Sequence, residues 1–444
     1  MASIAQVSQA MRRLFEEEAA PLARELGLRQ RGMRFHELAY LLVLGWWHRP
    51  QAGPSALARF GGTLGLRLTK QEVDCHFTAL TAQWLLAVLR RGVQVLISAH
   101  GVSLPLLQQF SAVLVEDGST ISLPAALASV WRGCGGTRTT SSGQAASAAA
   151  LKITVRFDLL GGQLHGPHVQ AGRQHELRSV LREERMPAGS LWLADLGYWT
   201  LKWLRQLSQQ GVYFLLRYKP GIVLWYEQQR LDLLAVLPQQ VGARLELLVG
   251  VGASQAITGC RLLAERVPEA VALARQERYR EYARTHQKPL NPLVLELAHW
   301  TLVVTNVPAA RLSFEQAFAL LRARWQIELL FKLWKQHALL DQWSSGKPWR
   351  ILCEVYAKLL AMLIQHWVLL LACWEDPHRS LSSVAEVVRE QVPLLAHGLV
   401  RHLPLQRALR LLVGSVQGHC SIPARTTRPS TSRRLLSAAG PGLT

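Results

Sequence analysis

The stretch Leu321-Arg-Ala-Arg-Trp-Gln-Ile-Glu-Leu-Leu-Phe-Lys-Leu-Trp-Lys335 carries more information about the fold than any other part of the chain. It holds no Gly or Pro and is rich in Leu, Arg, Lys and Glu, so it predicts a helix. Ser313 is a suitable N-cap for that helix, with Gln316 at the third helical position. At about 100° per residue, Arg324, Glu328, Lys332 and Lys335 fall on one narrow stripe. Ala323, Ile327, Leu330 and Trp334 fall together on another side, which predicts docking on a core. The polar stripe sets one carboxylate among cations, with Trp325 and Phe331 flanking it. Taken alone, such a stripe reads first as a solvated face, so the rest of the chain has to discriminate.

A chain of 444 residues suggests roughly two to four domains with a large core. Hydrophobic residues make up 49%, which excludes a disordered chain. The formal charge is +20, spread over the whole length. Such an excess points to a polyanion, and its spread favours a large nucleic-acid footprint with salt-dependent binding. Six cysteines without a CxxC pair or zinc spacing predict free thiols in a reducing cytoplasm. The first residues lack the basic-then-apolar layout of a signal peptide. The longest apolar run, 359–374, is interrupted by Gln365 and His366 and is shorter than the ~20 residues that span a bilayer. It predicts a buried helix and a soluble protein with no membrane partner.

Residues 1–110 predict helices, at 10–28 with a break at Pro21 and at 36–47, with interruptions at Pro50 and Pro54. The order of 55–60, a Gly61-Gly62 turn and a second helix capped by Thr69 resembles a helix-turn-helix. The texture changes at Ser111. Strands are expected at 112–116, ending at Asp117 and resuming at Ile121, then at 152–158, at 191–194 ending at Asp195, and at 212–218. Between them, 129–150 predicts a loop, in which Arg132 and Arg138 can touch phosphate. His165, His168 and His175 predict polar loop positions, 175–185 a helix and 201–209 another. Strands at 245–249 and 258–263, a charged helix over 268–285, a turn at Pro289 and Pro292, and a strand over 295–307 containing Trp300 predict an insertion. From 346 the chain predicts helices, and from 421 a flexible basic tail.

Three carboxylates stand at informative places: Asp117 and Asp195 at expected strand ends, and Glu328 on the helix. Groups at neighbouring strand ends of an open α/β sheet converge, and a helix packed on that sheet can add a third. Three hard oxygen donors suit Mg²⁺ or Mn²⁺, and a pair of ions about 3.5–4 Å apart suits in-line phosphoryl transfer. Each residue also has an ordinary explanation. Asp117 and Asp195 precede glycine-containing turns, and Glu328 can pair with Arg324 or Lys332 one turn away.

The order Asp, Asp, Glu with an insertion before the last resembles the RNase H-like DDE transposases, and most closely the IS-four family of bacterial insertion-sequence transposases. That family's last signature is Tyr, two residues, Arg, three residues, Glu, six residues, Lys. Arg324, Glu328 and Lys335 stand at those spacings, and Leu321 stands where the family has Tyr. Asp195-Leu-Gly197-Tyr198 is similar to the second signature, and Asp117-Gly-Ser-Thr to the first. The resemblance covers roughly residues 110–374.

It implies an α/β fold: an RNase H-like mixed sheet with a β-rich insertion domain, flanked by helical N- and C-terminal regions. The implied regions are a helical DNA-binding part at 1–110, the catalytic core at 111–220, the insertion at 221–307 and the last core helix at 308–345. A helical C-terminal region at 346–420 and the tail at 421–444 follow. It also implies a catalytic and metal-binding triad of Asp117, Asp195 and Glu328 with two Mg²⁺ or Mn²⁺ ions. Arg324, Lys335, Lys332, Arg322 and Tyr198 are then DNA contacts. Trp300 would stack on a flipped base during hairpin formation. The implied partners are double-stranded DNA, as element ends and as target, and a second copy of the chain in a bacterial cytoplasm near the nucleoid. A purely hydrolytic nuclease of the same fold, or a DNA-binding derivative without activity, are the alternatives.

Overall fold

The computed structural model describes residues 2–135, 148–253, 257–376, 378–400, 403–417, 420 and 430–438. Arg138, most of the loop expected at 129–150, and residues 421–429 of the expected tail lie outside the described residues. Ten strands are present: β1 Val113–Leu123, β2 Ala149–Asp158, β3 Leu164–Ala171, β4 Leu191–Ala194, β5 Tyr213–Arg217, β6 Leu224–Tyr226, β7 Gln229–Arg230, β8 Arg244–Val251, β9 Ile257–Arg266 and β10 Trp300–Thr305. They are hydrogen-bonded in the order β3-β2-β1-β4-β5-β10-β9-β8-β6-β7. The sheet is mixed, as expected: β1–β4 and β4–β5 are parallel, and β5–β10, β10–β9 and β9–β8 are antiparallel. The chain divides into two compact units, the first Met1–Ser103, Gly118–His175 and Gln326–Arg428, the second Leu104–Asp117, Glu176–Trp325 and Pro429–Thr444. β1 passes from the second into the first at Asp117.

The first unit is built on the helix Pro348–Ala372. Its apolar residues run right round the axis, so it has to be covered on every side. The helices Phe35–His48 and Ala79–Val93 pack on it, and Trp47 donates its indole N–H to Gln365 at 3.0 Å. At 25 residues the helix is longer than the expected run and is long and apolar enough to cross a membrane, yet 94% of its most apolar window is buried inside the protein. It also buries an ion pair, Lys358–Glu354 at 2.7 Å. Lys358 donates further to the carbonyls of Leu339 and Gln342, which tethers the segment after the helix Trp325–His337. Burial pushes Glu354 up and Lys358 down from their ordinary values, against their mutual attraction.

Several expectations for this unit are corrected. Pro21 does not break the first helix. Ile4–Arg12 continues through a π-helical segment, Arg13–Glu18, into Ala19–Glu25. Proline cannot donate to the carbonyl one turn back, and the wider turn just before it absorbs that mismatch. Pro54 instead opens the helix Pro54–Gly61 at its first position, where no donor is needed. Thr69 caps the next helix through a capping box with Glu72, as its sequence suggests, but that helix is only Lys70–Asp74. One turn and a half is short for a groove-reading helix. His165 and His168 are not in a loop: they lie on β3, paired antiparallel with β2 across a register shift.

In the second unit, the expected helix over 175–185 is replaced by two 3-10 turns, Glu176–Arg178 and Val180–Arg182. The strands of the expected insertion do not form a sheet of their own. β8, β9 and β10 extend the same sheet from β5, because the buried faces of β5, β9 and β10 share one apolar cluster. Residues 295–297 belong to the helix Pro292–Leu297, which shortens the expected last strand. The helix over 321–335 is two segments, Phe314–Ala323 and Trp325–His337. Arg324, between them, keeps right-handed helical dihedrals (φ −50°, ψ −32°). Ser313 and Gln316 form the expected capping box. Arg261, 3% exposed, fixes the entry to this helix by donating to the carbonyls of Val307 and Leu312 while paired with Glu246. Within the expected flexible tail, Thr431–Ala438 is a helix that packs on Phe314–Ala323.

Burial gives the fold an acid limit. His366, 2% exposed, donates from Nε2 to the carbonyl of Gly162 at 2.7 Å, and burial pushes its imidazole down to about 4. The unfolded chain binds this proton below about pH 6.5 and the folded one only near 4, so stability rises with pH across that window. It is lost on acidification by about 3 kcal/mol from this residue alone. His48, His76 and His337 are also lowered, first by burial, and add to the same trend. His366→Gln, which keeps a donor for Gly162, is expected to lose less melting temperature than the parent between pH 7 and pH 4.5. Equal losses in a thermal-denaturation series would remove His366 as a cause.

Candidate active site

β1 and β4 are apolar because both of their faces are covered. Val113, Leu114, Val115 and Glu116 are all buried, as are Leu191, Trp192, Leu193 and Ala194. Their parallel register pairs Leu114 with Trp192 and Glu116 with Ala194. Side chains alternate along a strand, so Leu114, Glu116, Trp192 and Ala194 share one face. Of these, Leu114, Trp192 and Ala194 belong to the large apolar cluster. Asp117 and Asp195 are the next residues on the two strands. Asp195 is still extended (φ −81°, ψ 168°), so strand alternation directs both aspartates to the face opposite that cluster. Asp117 is half-buried and Asp195 exposed.

Asp195 ends its strand as expected, but Asp117 does not. β1 runs on through it to Leu123, and only the pairing with β4 stops at Glu116. After Asp195 the chain enters a 3-10 turn, Leu196–Tyr198. A Cβ added at Gly197 would lie 2.6 Å from a carboxylate oxygen of Glu176, so the absence of a side chain there lets Glu176 lie against the turn. Arg182 holds the turn from the other side. It donates to the carbonyl of Tyr198 at 2.9 Å, and its guanidinium stacks 4.5 Å from the centre of the Trp203 ring. Tyr198 is 1% exposed, and its hydroxyl has no hydrogen-bond partner among the described residues. Burial, then the charges of Glu116, Asp117 and Glu176, push its phenol far above the ordinary range. Placed so, Tyr198 is a buried neighbour of the aspartates and not a surface contact.

The other expected residues are placed as follows. Glu328 is half-buried on the helix Trp325–His337, in the first unit, with Lys335 half-buried and Lys332 exposed on the same helix. Ile327, Leu330 and Trp334 are buried, as the apolar side predicts, and so is Phe331. Trp325 is 55% exposed. Arg322 is exposed and Arg324 half-buried, while Leu321 is 8% exposed on the core side of its helix. Trp300 overturns its expectation: it is 7% exposed, its indole N–H donates to Pro238 at 2.8 Å, and Arg266 lies over its ring. An indole packed in this way offers no free face to a base. Among the described residues no three His, Cys, Asp or Glu side chains form a metal-sized group. Of the three expected carboxylates, Asp117 and Asp195 directly follow a paired couple of strand residues, Glu116 and Ala194.

Residues 109–364 match the transposase DDE domain. The chain belongs to that family. It is 25% identical over 386 residues to the transposase for insertion sequence element IS231F of Bacillus thuringiensis subsp. israelensis, covering 81% of this chain and 78% of that protein. The transposase for IS231D of B. thuringiensis subsp. finitimus is 26% identical over 380 residues, covering 77% and 75%. The transposase for IS1151 of Clostridium perfringens is 22% identical over 331 residues, covering 69% and 67%. The family and the mixed α/β fold expected from the sequence are thus borne out, and a divalent metal cofactor goes with a DDE domain.

Two carboxylates near Asp117 and Asp195 carried little or no signal in the sequence. Glu116 is 0% exposed and accepts from the Trp192 indole at 3.2 Å. A carboxylate at the end of a fully apolar run was its only signal. Glu176 carried none, because only the turn after Asp195 brings it near. Tyr198→Phe removes a buried hydroxyl that lacks a partner, so melting temperature is expected to hold or rise, by no more than about 1–3 kcal/mol of stability. A marked fall in a thermal-shift measurement would show that the hydroxyl is bonded in solution.

Proposed function

We propose that this chain is the DNA transposase of an insertion sequence. It binds the inverted terminal ends of its element, cuts the strands there and joins the freed 3′-hydroxyl to target DNA, moving by cut and paste through a hairpin intermediate. The observation that supports this is the β1–β4 register, Glu116 against Ala194, with Asp117 and Asp195 the next residue on each strand, in a chain of the DDE family.

The donor set fits a hard divalent ion in kind: carboxylate oxygens, with Asp117 half-buried and Asp195 exposed. Asp117, Asp195 and Glu328 would hold Mg²⁺ or Mn²⁺, as two ions. The bound metal supplies charge stabilisation to the transferring phosphoryl group. The protein's own residues do the rest. Arg324 and Lys335, with Lys332 and Arg322, bind and orient the phosphates around the scissile bond as point charges or planar forks. Glu116, held by Trp192, and Arg182, seated under the Asp195 turn, keep the two aspartates at one height. Trp300 has no part in this scheme. Synapsis of two ends calls for a homodimer, working in the cytoplasm at the nucleoid.

The test incubates purified protein with its element ends, Mg²⁺ and a supercoiled target. Asp117→Ala, Asp195→Ala and Glu328→Ala are each expected to abolish strand-transfer products. The loss should exceed the ~10–100-fold that removal of a residue supporting a metal ligand costs. End binding in a gel-shift assay should be retained. Wild-type strand transfer in Glu328→Ala would sink the triad, and hydrolysis without joining by the parent protein would favour a nuclease.

A further inference from the structure

A second charged site lies in the first unit and shares no residue with the proposed catalytic and phosphate-binding set. The N-terminus of the helix Pro54–Gly61, the short helix Lys70–Asp74 and the start of the helix Pro348–Ala372 line a cleft of about 520 Å³. Four cations face it: Arg59, Lys70, Lys347 and Arg350. Its one carboxylate, Asp74, is already engaged by Lys347 at 2.6 Å. Ser55 and Ser344 add hydroxyls, and Gly53, the N-cap, leaves the helix end uncovered by a side chain. The helix N-terminus adds partial positive charge of its own.

Arg350 shows that this is more than a basic surface. It is only 8% exposed, yet its Nε has no hydrogen-bond partner among the described residues. Nη2 donates to Ser344 at 3.2 Å, and the guanidinium lies over the Phe77 ring, 5.5 Å from its centre. The same Nη2 sits 3.7 Å from where a Cβ on Gly53 would be, so the guanidinium lies against the helix cap. Glu354, one turn along, is within electrostatic reach; Lys358 holds one of its oxygens at 2.7 Å, and the other has no hydrogen-bond partner among the described residues. A guanidinium in the cleft wall, three cations in excess of the carboxylate and a helix N-terminus together suit an oxyanion.

We propose that this cleft seats a backbone phosphate of duplex DNA, independently of sequence. Exposed Lys70 and Lys347 at its edge suit a continuous phosphate backbone better than an isolated anion. This assignment rests on the transposase reading for the identity of the polyanion. It gives the short helix Lys70–Asp74 a role as a clamp on the backbone, in place of the groove-reading helix its sequence suggests.

The test uses the full-length chain and fluorescence anisotropy with a duplex of unrelated sequence, over about 50–200 mM KCl. Arg59→Gln/Lys70→Gln leaves the buried Arg350 in place. It is expected to weaken binding ~10-fold at the low-salt end and to make the slope of log K against log [KCl] shallower by about one to two. Ser55→Glu puts a carboxylate in the first turn of the helix, which favours the helix itself. Its melting temperature should hold or rise while DNA affinity falls ~10-fold. Wild-type slopes and affinities in both variants, with the parent protein binding the duplex, would overturn the cleft and leave the transposase reading intact. A parent protein that binds no duplex would overturn both. Stabilisation of the parent by inorganic phosphate, lost in the double variant with no change in DNA slope, would overturn DNA as the ligand in favour of a free anion.

Discussion

Parallel pairing in a single register, Glu116 against Ala194, governs where Asp117 and Asp195 leave their strands. Alternation along each strand then gives Asp117 and Asp195 a common face, while Leu114, Trp192 and Ala194 commit the other face to the core. A slip of one residue in either strand would send its aspartate into that apolar cluster. The register is protected by burial on both faces, with Trp192 both filling the core and donating to Glu116. Placement of the two aspartates and hydrophobic packing are therefore one constraint.

The surroundings of the aspartates extend this logic through turns and cations. Arg182 ties the 3-10 turn after Asp195 to the Trp203 ring and to the carbonyl of Tyr198. Arg261 binds the carbonyls that lead into Ser313 and so fixes where the following helix begins. In both places a guanidinium serves as a structural tie in a protein whose net charge of +20 would otherwise be read wholly as DNA-facing. Net charge reports the partner; burial reports which cations are free to meet it. Trp300 shows the same separation for an aromatic side chain, since its packing under Arg266 removes the free face that base stacking requires.

In the first unit the organising element is a helix apolar on all sides. Once it is covered by the helices Phe35–His48 and Ala79–Val93, its few polar residues have to be satisfied inside. Lys358 does so by tying down the segment that leaves the helix of Glu328, and His366 by meeting a backbone carbonyl. Arg350, near the start of the same helix, keeps a buried Nε without a hydrogen-bond partner among the described residues, and it lies where three separate segments form a basic cleft.

The sequence by itself determined the fold class, the family and the residue types of the site. Apolar runs ending in Asp117-Gly-Ser-Thr and Asp195-Leu-Gly-Tyr, and Arg324, Glu328 and Lys335 at fixed spacing, are local patterns that need no knowledge of contacts. Capping signals were equally legible at Ser313 and Thr69, because a cap is decided within four residues. Tertiary structure decided what depends on neighbours distant in the chain. It carried β1 through Asp117 and set His165 and His168 on a paired strand. It joined the expected insertion to the main sheet and folded 431–438 as a helix. It also buried Trp300 and Tyr198, and brought Glu176 to the Asp195 turn. Burial and pairing are sums over long-range contacts, and a side chain's type limits them without fixing them.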